Sequence, residues 1–507
     1  MRSLLPISLV LLSASGLADT RAVRTDAGLV QGVLDDNVIV YKGIPFAAPP
    51  AGNRRWKAPQ PAKHWSGIRK ADRFPSQCSQ LGPTLPTMPE EPNSEDCLYL
   101  NLWAPVTRTN SKLPVMVFFY GGGFRHGSAS TPLYASGGLP NAAGIVLVNV
   151  NYRVGPLGFL AHPELSAESA HHVSGNYALL DAIAGLQWVK RNVSAFGGDP
   201  NKVTIFGQSA GSQLVSKLMV SPPARGLFHA AIGESNADMG PKHTNEGIAV
   251  LADAEKAGVA FAASFGAKSI AELRKVPAEK ITASTFEGLP GVYGTGQTLP
   301  IVDGYVLPDD TYTLYAEGEQ AQVPLLLGYN ADEGEYFQTP MTMTAYAAAV
   351  RKKYGAFADQ VLALFPASTD DEAMRSNSQL DAEGAFGWQM WSWAHVNAQT
   401  SHSKTFFYYF SCKYGNGHGA ELPYVFQYPF GKPWNDDQRQ IGRTIAAYWT
   451  NFAKSGNPNG QGLQNWPEFS PKTERVMYIG QAFEPGTMPD LSAHFLMDTY
   501  MNAKRSR

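Results

Sequence analysis

The chain has 507 residues, 44% of them hydrophobic and 17% charged, with 49 Gly and 36 Pro. That mixture excludes a disordered chain, a coiled coil and a collagen-like repeat. The formal charge is −2 and no basic block stands out, so a phosphate backbone finds no electrostatic footprint and no nucleic-acid partner is expected.

Residues 1–18 read as an export signal. Arg2 supplies the positive start, residues 4–12 a short apolar core, and residues 13–18 the small side chains of a cleavage point. A membrane anchor needs about 20 apolar residues, and neither this stretch nor any later one is long and apolar enough. The expectation is a mature chain outside the cytoplasm, secreted or periplasmic, with residues 19–507 as a single α/β domain. Short extended segments over 28–34 and 37–41, separated by Asp35-Asp36, suggest an N-terminal hairpin. The Pro-rich run over 45–61 favours a wrapping loop, because proline lacks the ladder N–H.

Three cysteines fit an oxidising compartment. Cys78 and Cys97 enclose a short loop and can pair, and closing it stabilises the fold by about 3 kcal/mol in the chain-entropy model. Cys412 is left over as a buried free thiol. Neither a CxxC pair nor a Cys/His cluster exists, so no metal site is expected.

Strands then alternate with helices. Near-continuous apolar runs over 113–120 and 144–150 fit strands buried on both faces. Leu179, Ile183, Leu186 and Val189 recur at helical spacing, and residues 203–206 form the next strand. Further strands are predicted over 229–233, 323–328 and 405–411. Ile441, Ile445, Tyr448 and Phe452 mark an amphipathic helix stopped by Gly456 and Pro458. Residues 253–312 and 341–390 read as mainly helical and are expected to cap the sheet. The alternation argues for one large α/β unit with a mostly parallel sheet.

The chemistry starts at Gly207-Gln208-Ser209-Ala210-Gly211, between the strand over 203–206 and an apolar helical run. A G-x-S-x-G at such a junction is a nucleophile elbow, whose turn is too tight for side chains at the two Gly positions. Ser209 is therefore the candidate nucleophile, beside a helix N-terminus that favours negative charge. The loop Gly121-Gly122-Gly123 follows an earlier strand, where backbone N–H groups are delivered to an oxyanion. The donors assigned are Gly122, Gly123 and Ala210. A base and an orienting carboxylate follow in chain order on such a fold. Of His395, His402, His418 and His494, only His418 lies in a glycine-rich loop just beyond a strand. For the acid, position does not separate Asp332, Glu333 and Glu335.

These residues resemble the type-B carboxylesterases, the group that includes cholinesterases, fungal lipases and bacterial para-nitrobenzyl esterases. The likeness also rests on EDCLYLN over residues 95–101, KGIPFAAPP over 42–50, FGGDP over 196–200, ADEG over 331–334 and HGAE over 418–421. It runs from about residue 20 to 485. The resemblance implies an α/β-hydrolase fold with helical cap insertions. It implies a serine esterase acting on a small-molecule ester, without a cofactor. It makes Glu333 the triad acid, matches Cys78 and Cys97 to the family's N-terminal disulfide, and likens Ser235 to a buried supporting Ser. Gln208 departs from the Glu that many members carry, which argues against a cationic choline ester. Glu234-Ser235-Asn236 replaces the usual Gln-Ser-Gly.

Other residues carry two readings. Trp388, Met390, Trp391 and Trp393 line a substrate pocket or pack as core, and packing is the preferred reading. Arg125 pairs with a substrate carboxylate or is solvated or paired internally, and the second is preferred. Asn192-Val193-Ser194 is a glycosylation sequon. A scaffold without catalysis is disfavoured, because Ser209, His418, the candidate acids and the glycines are all present.

Overall fold

Seven parallel strands make the middle of an eleven-stranded sheet. The computed structural model describes residues 22–81, 91–106, 112–242, 248–283, 298–480 and 482–506. The expected export signal over 1–18 lies outside them. The strands are β1 (Val33–Asp35), β2 (Val38–Pro45), β3 (Tyr99–Pro105), β4 (Leu113–Phe119), β5 (Val146–Val150), β6 (Gly198–Gln208), β7 (Ala230–Glu234), β8 (Leu325–Asn330), β9 (Thr405–Ser411), β10 (Arg475–Gly480) and β11 (Phe483–Thr487). Across the sheet they run β11-β10-β9-β8-β7-β6-β4-β5-β3-β2-β1. The antiparallel strands lie at its two sides.

Every residue of β5, β7 and β8 is buried. Helices on both faces account for that, and it is why these strands read as apolar runs without alternation. Among the helices, α1 (Tyr177–Asn192) buries Leu179, Ile183, Leu186 and Val189 as their spacing predicts. α2 (Ala210–Val220) follows β6 directly, and α3 (Trp388–Thr400) buries Trp388, Met390, Trp391 and Trp393. These large side chains join the main core, in line with the packing reading. α4 (Asp436–Ser455) starts with a capping box between Asn435 and Gln438 and ends at Gly456, whose φ of 70° suits glycine. α5 (Leu491–Arg505) closes the described chain.

The two cap stretches differ in how they are seated. Helices Leu251–Ser264, Ile270–Leu273 and Ala278–Ala283 cover a satellite core built on Trp56, Leu157, Leu160 and Tyr177. Part of that stretch, 284–297, lies outside the described residues. The second stretch, with helices Met343–Tyr354, Ala358–Leu364 and Asp370–Ala382, feeds Tyr346, Val350, Val361 and Leu380 into the main core.

The N-terminal hairpin is split in two. β1 and β2 form it around Asp36, but Leu29–Gln31 pairs instead with Ala22–Arg24 and Ile68–Lys70 in a small separate sheet. The break falls at Gly32, where a Cβ would come within 2.7 Å of the Val40 carbonyl oxygen.

Cys78 and Cys97 form a disulfide across a sequence separation of 19, and Cys412 is a buried free thiol. Among the described residues no helix is long and apolar enough to cross a membrane. Asn192 is 4% exposed. Its Oδ1 accepts the Asp26 N–H at 2.8 Å and its Nδ2 donates to the Trp188 carbonyl at 3.0 Å, so the side chain that a glycan would occupy is already committed.

Two outcomes follow. Replacing both Cys78 and Cys97 with Ser should lower the free energy of unfolding by about 3 kcal/mol, read from denaturant unfolding, with a steeper slope because the freed unfolded chain exposes more surface. Folded protein from a eukaryotic secretory host should carry no glycan at Asn192, which intact-mass measurement checks.

Candidate active site

The β6 ladder with β7 runs in register up to Gln208 opposite Glu234. The chain then turns within one residue. Ser209 takes φ 57° and ψ −125°, and α2 starts at the next residue. A side chain at φ > 0 is strained, and the surroundings enforce it. The Ser209 N–H donates to the Glu234 carbonyl at 2.8 Å, and its own carbonyl accepts from the Gln213 N–H at 3.0 Å. The flanking glycines are required by contact. A Cβ at Gly211 would fall on the Phe119 carbonyl oxygen, and one at Gly207 on the backbone of Gly211. At the elbow β4, β6 and α2 therefore approach more closely than a Cβ would allow.

The loop after β4 lies against it. A Cβ at Gly121 would come within 2.9 Å of the Ser209 Cβ. Gly122 and Gly123 follow at φ 111° and 62°. The Gly122 carbonyl accepts the N–H groups of Arg125 (3.0 Å) and His126 (3.2 Å), which curls the loop. Ala210 opens α2, where first-turn N–H groups lack intrahelical acceptors. Burial, and then the charge of Arg125, lower the pKa of His126.

On the far side, β8 ends at Asn330 and enters a short helix, Glu333–Phe337. The Glu333 side chain is 3% exposed. Its Oε1 accepts the Asn330 N–H at 2.9 Å, and its Oε2 lies 2.6 Å from His418 Nδ1. Asp332 donates its backbone N–H to the Asn416 carbonyl and pairs with Gly417, so it tethers the histidine loop. Glu335 lies with Oε2 against Gly417. Of the three acids left open by position, the imidazole is bonded to Glu333. On its other edge, His418 Nε2 lies 3.2 Å from Nε2 of Gln208, the residue before Ser209. Phe386 covers the ring, with centroids 4.5 Å apart. Burial acts to lower the pKa of His418, but the charge and hydrogen bond of Glu333, with the charge of Glu421, outweigh it and leave the group above its ordinary value.

Several parts were not legible as site residues. Asn330 joins both buried carboxylates: its N–H serves Glu333, and its side-chain amide donates to Glu421 and to the Gly417 carbonyl. Glu421 is pushed up to about 7 by burial, with Glu333's charge adding to the rise. Glu234, fully buried, accepts from Trp449 Nε1 at 2.8 Å. Burial and then the charge of Glu421 hold it well above the usual carboxylate range. HGAE supplied a sequence signal for Glu421, but nothing signalled Phe386. Phe386 sits in a π-helical turn, Glu383–Gly387, leading into α3. His494 of α5 anchors that turn, with Nδ1 2.5 Å from Glu383 Oε1 and Nε2 3.2 Å from the Tyr329 hydroxyl. Ser235 is buried at the end of β7, with φ 53° and its N–H donated to the Gly328 carbonyl.

A carboxylate, an imidazole and an elbow carrying a hydroxyl are thus gathered at the ends of β8, β9 and β6, facing a loop of glycine backbone. That arrangement suits proton transfer from an attacking alcohol beside an anion-binding turn. A sequence model of the carboxylesterase family matches residues 19–494. The chain is 36% identical to a fumonisin B1 esterase of Sphingopyxis macrogoltabida, covering 91% of this chain and 87% of the relative. It is 33% identical to a para-nitrobenzyl esterase of Bacillus subtilis strain 168, covering 90% and 94%. A solved structure titled PNB esterase superposes with a TM-score of 0.82 at 31% identity, covering 94% of this chain and all of that one. The chain belongs to the carboxylesterase family, has the α/β-hydrolase fold, and is a carboxylic ester hydrolase.

Proposed function

We propose that ester hydrolysis proceeds through an acyl-enzyme on Ser209. The observation that carries this reading is the 2.6 Å bond between Glu333 and His418, whose outer nitrogen abuts the residue preceding Ser209. In the first step Ser209 Oγ attacks the ester carbonyl carbon and His418 Nε2 takes its proton. The carbonyl π pair moves to oxygen, where the N–H groups of Gly122, Gly123 and Ala210 receive it. His418 then gives the proton to the departing alcohol, and water repeats the sequence to release the acid. Glu333 fixes the tautomer with the proton on Nδ1 and stabilises the ring once it is charged. No cofactor takes part.

The substrate is a small-molecule carboxylic ester. The relatives are named for different compounds, fumonisin B1, para-nitrobenzyl esters and cocaine among them, so membership of the family selects the bond and leaves the acyl and alcohol groups open. We also infer that residues 1–18 direct export and that residues 19–507 form one hydrolase unit. The Cys78–Cys97 disulfide supports a destination outside the reducing cytoplasm.

Ser209→Ala should lower kcat by roughly 10^6-fold with the fold intact and abolish stoichiometric labelling by an organophosphonate. Labelling of the alanine variant would overturn the assignment of the nucleophile. Only the neutral imidazole accepts the proton, so kcat/KM should rise as pH passes upward through the pKa of His418. Because that group lies above its ordinary value of 6.5, the midpoint of the acid limb should lie above 6.5 as well. A flat profile between about pH 5 and 8 would remove His418 as the base.

A further inference from the structure

Gln208 is placed by two stretches of bare backbone. Its side chain is buried between the oxyanion loop and the histidine loop. A Cβ at Gly121 would come within 2.9 Å of its Oε1, and one at Gly419 would lie 3.6 Å from its Nε2. Within that slot its Nε2 lies 3.2 Å from His418 Nε2. His418 Nδ1 faces a carboxylate oxygen at 2.6 Å, so the neutral ring carries its proton on Nδ1 and presents a lone pair at Nε2. The Gln208 amide group has two N–H donors to offer that lone pair, and it has no charge.

We propose that Gln208 is a positioning residue for the catalytic imidazole: in the resting enzyme its amide N–H holds the Nε2 lone pair of His418, favouring the neutral ring. This rests on the acyl-transfer reading above. When Ser209 attacks, its O–H bond breaks, an N–H bond forms at Nε2, and the new bond joins Oγ to the carbonyl carbon. The imidazolium then has hydrogens on both nitrogens, and the Gln208 donor faces another donor. A carboxylate in the same slot would only accept, and so would favour the imidazolium before any ester arrives.

Among the described residues, these titratable and charged groups face His418 or its loop. Glu333 comes from the turn after β8, Glu421 from its own loop, and the Phe386 ring from the π-helical turn. Glu335 and Asp332 lie against Gly417 of the same loop. Glu234 is linked through Glu421. His126 and Arg125 sit on the oxyanion loop, with His126 against Gly122. The carboxylates of Glu333 and Glu421 favour the charged form of the ring, and Gln208 is a neutral partner that opposes them at Nε2.

The test compares full-length wild type, Gln208→Glu and Gln208→Met. One readout is the pH profile of kcat/KM on a neutral para-nitrophenyl ester. The other is a titration of the His418 ring nitrogens by NMR without substrate, assigned by their loss in His418→Asn. The glutamate variant should move both midpoints up by about one pH unit, costing about tenfold in kcat/KM below the limb and little on the plateau. The methionine variant should move them up by less, because it removes the donor without adding charge. Midpoints that stay in place in the methionine variant, with or without a uniform loss at every pH, would overturn the proposal, because the charge of the glutamate variant alone shifts a neighbouring imidazole. The NMR titration needs no turnover, so it decides the role of Gln208 even if Ser209 proves not to be acylated; absence of phosphonate labelling would instead sink the acyl-transfer reading.

Discussion

The backbone at Ser209 is the constraint on which the rest depends. A non-glycine residue at φ 57° and ψ −125° is strained by about 1–3 kcal/mol and persists only where its surroundings over-determine it. Here they do. The β6–β7 ladder holds the chain up to Gln208, the Glu234 carbonyl takes the Ser209 N–H, and α2 must begin at once. Gly207 and Gly211 let β4, β6 and α2 approach to distances that no Cβ would allow. Because β4 is one of those elements, its following loop is delivered beside Ser209 by the same contact.

A parallel sheet sends its loops to one edge, and this follows from strand direction alone. β4, β6, β8 and β9 all run the same way. The glycine loop, the elbow, the Glu333 turn and the His418 loop therefore meet at one edge, although they span some three hundred positions in the chain. Electrostatics then grades the carboxylates gathered there. Glu333 is bonded to the imidazole and to the Asn330 N–H. Glu421 is pushed up to about 7 and Glu234 well above the usual carboxylate range, because burial and mutual repulsion penalise a second and a third negative charge.

The sequence revealed what local chemistry dictates. The central parallel strands were legible because burial on both faces makes them near-continuous apolar runs, whereas the strands over 99–105, 475–480 and 483–487 were not predicted; the elbow was legible because two glycines flank a serine between a strand and a helix. His418 stood out through the glycines around it. The acid did not, since Asp332, Glu333 and Glu335 share one turn and only packing decides which carboxylate meets the ring. Phe386 was hidden because a π-helical turn carries an extra residue and breaks the helical period that a sequence reader follows. Gln208 could be seen as a missing charge, but its bond to His418 exists only once the Gly121 and Gly419 backbones close around it.

The π-helical turn ties α5 to the ring of His418. Glu383 opens that turn and is fastened by His494, while Arg505 in the same helix lies over the Tyr312 ring and donates to the Met239 carbonyl. The wall behind the imidazole is thereby anchored by a helix 111 positions further along the chain than the glutamate it holds. A substitution at His494 would therefore reach the imidazole through Glu383 and the Phe386 ring, from a helix far along the chain.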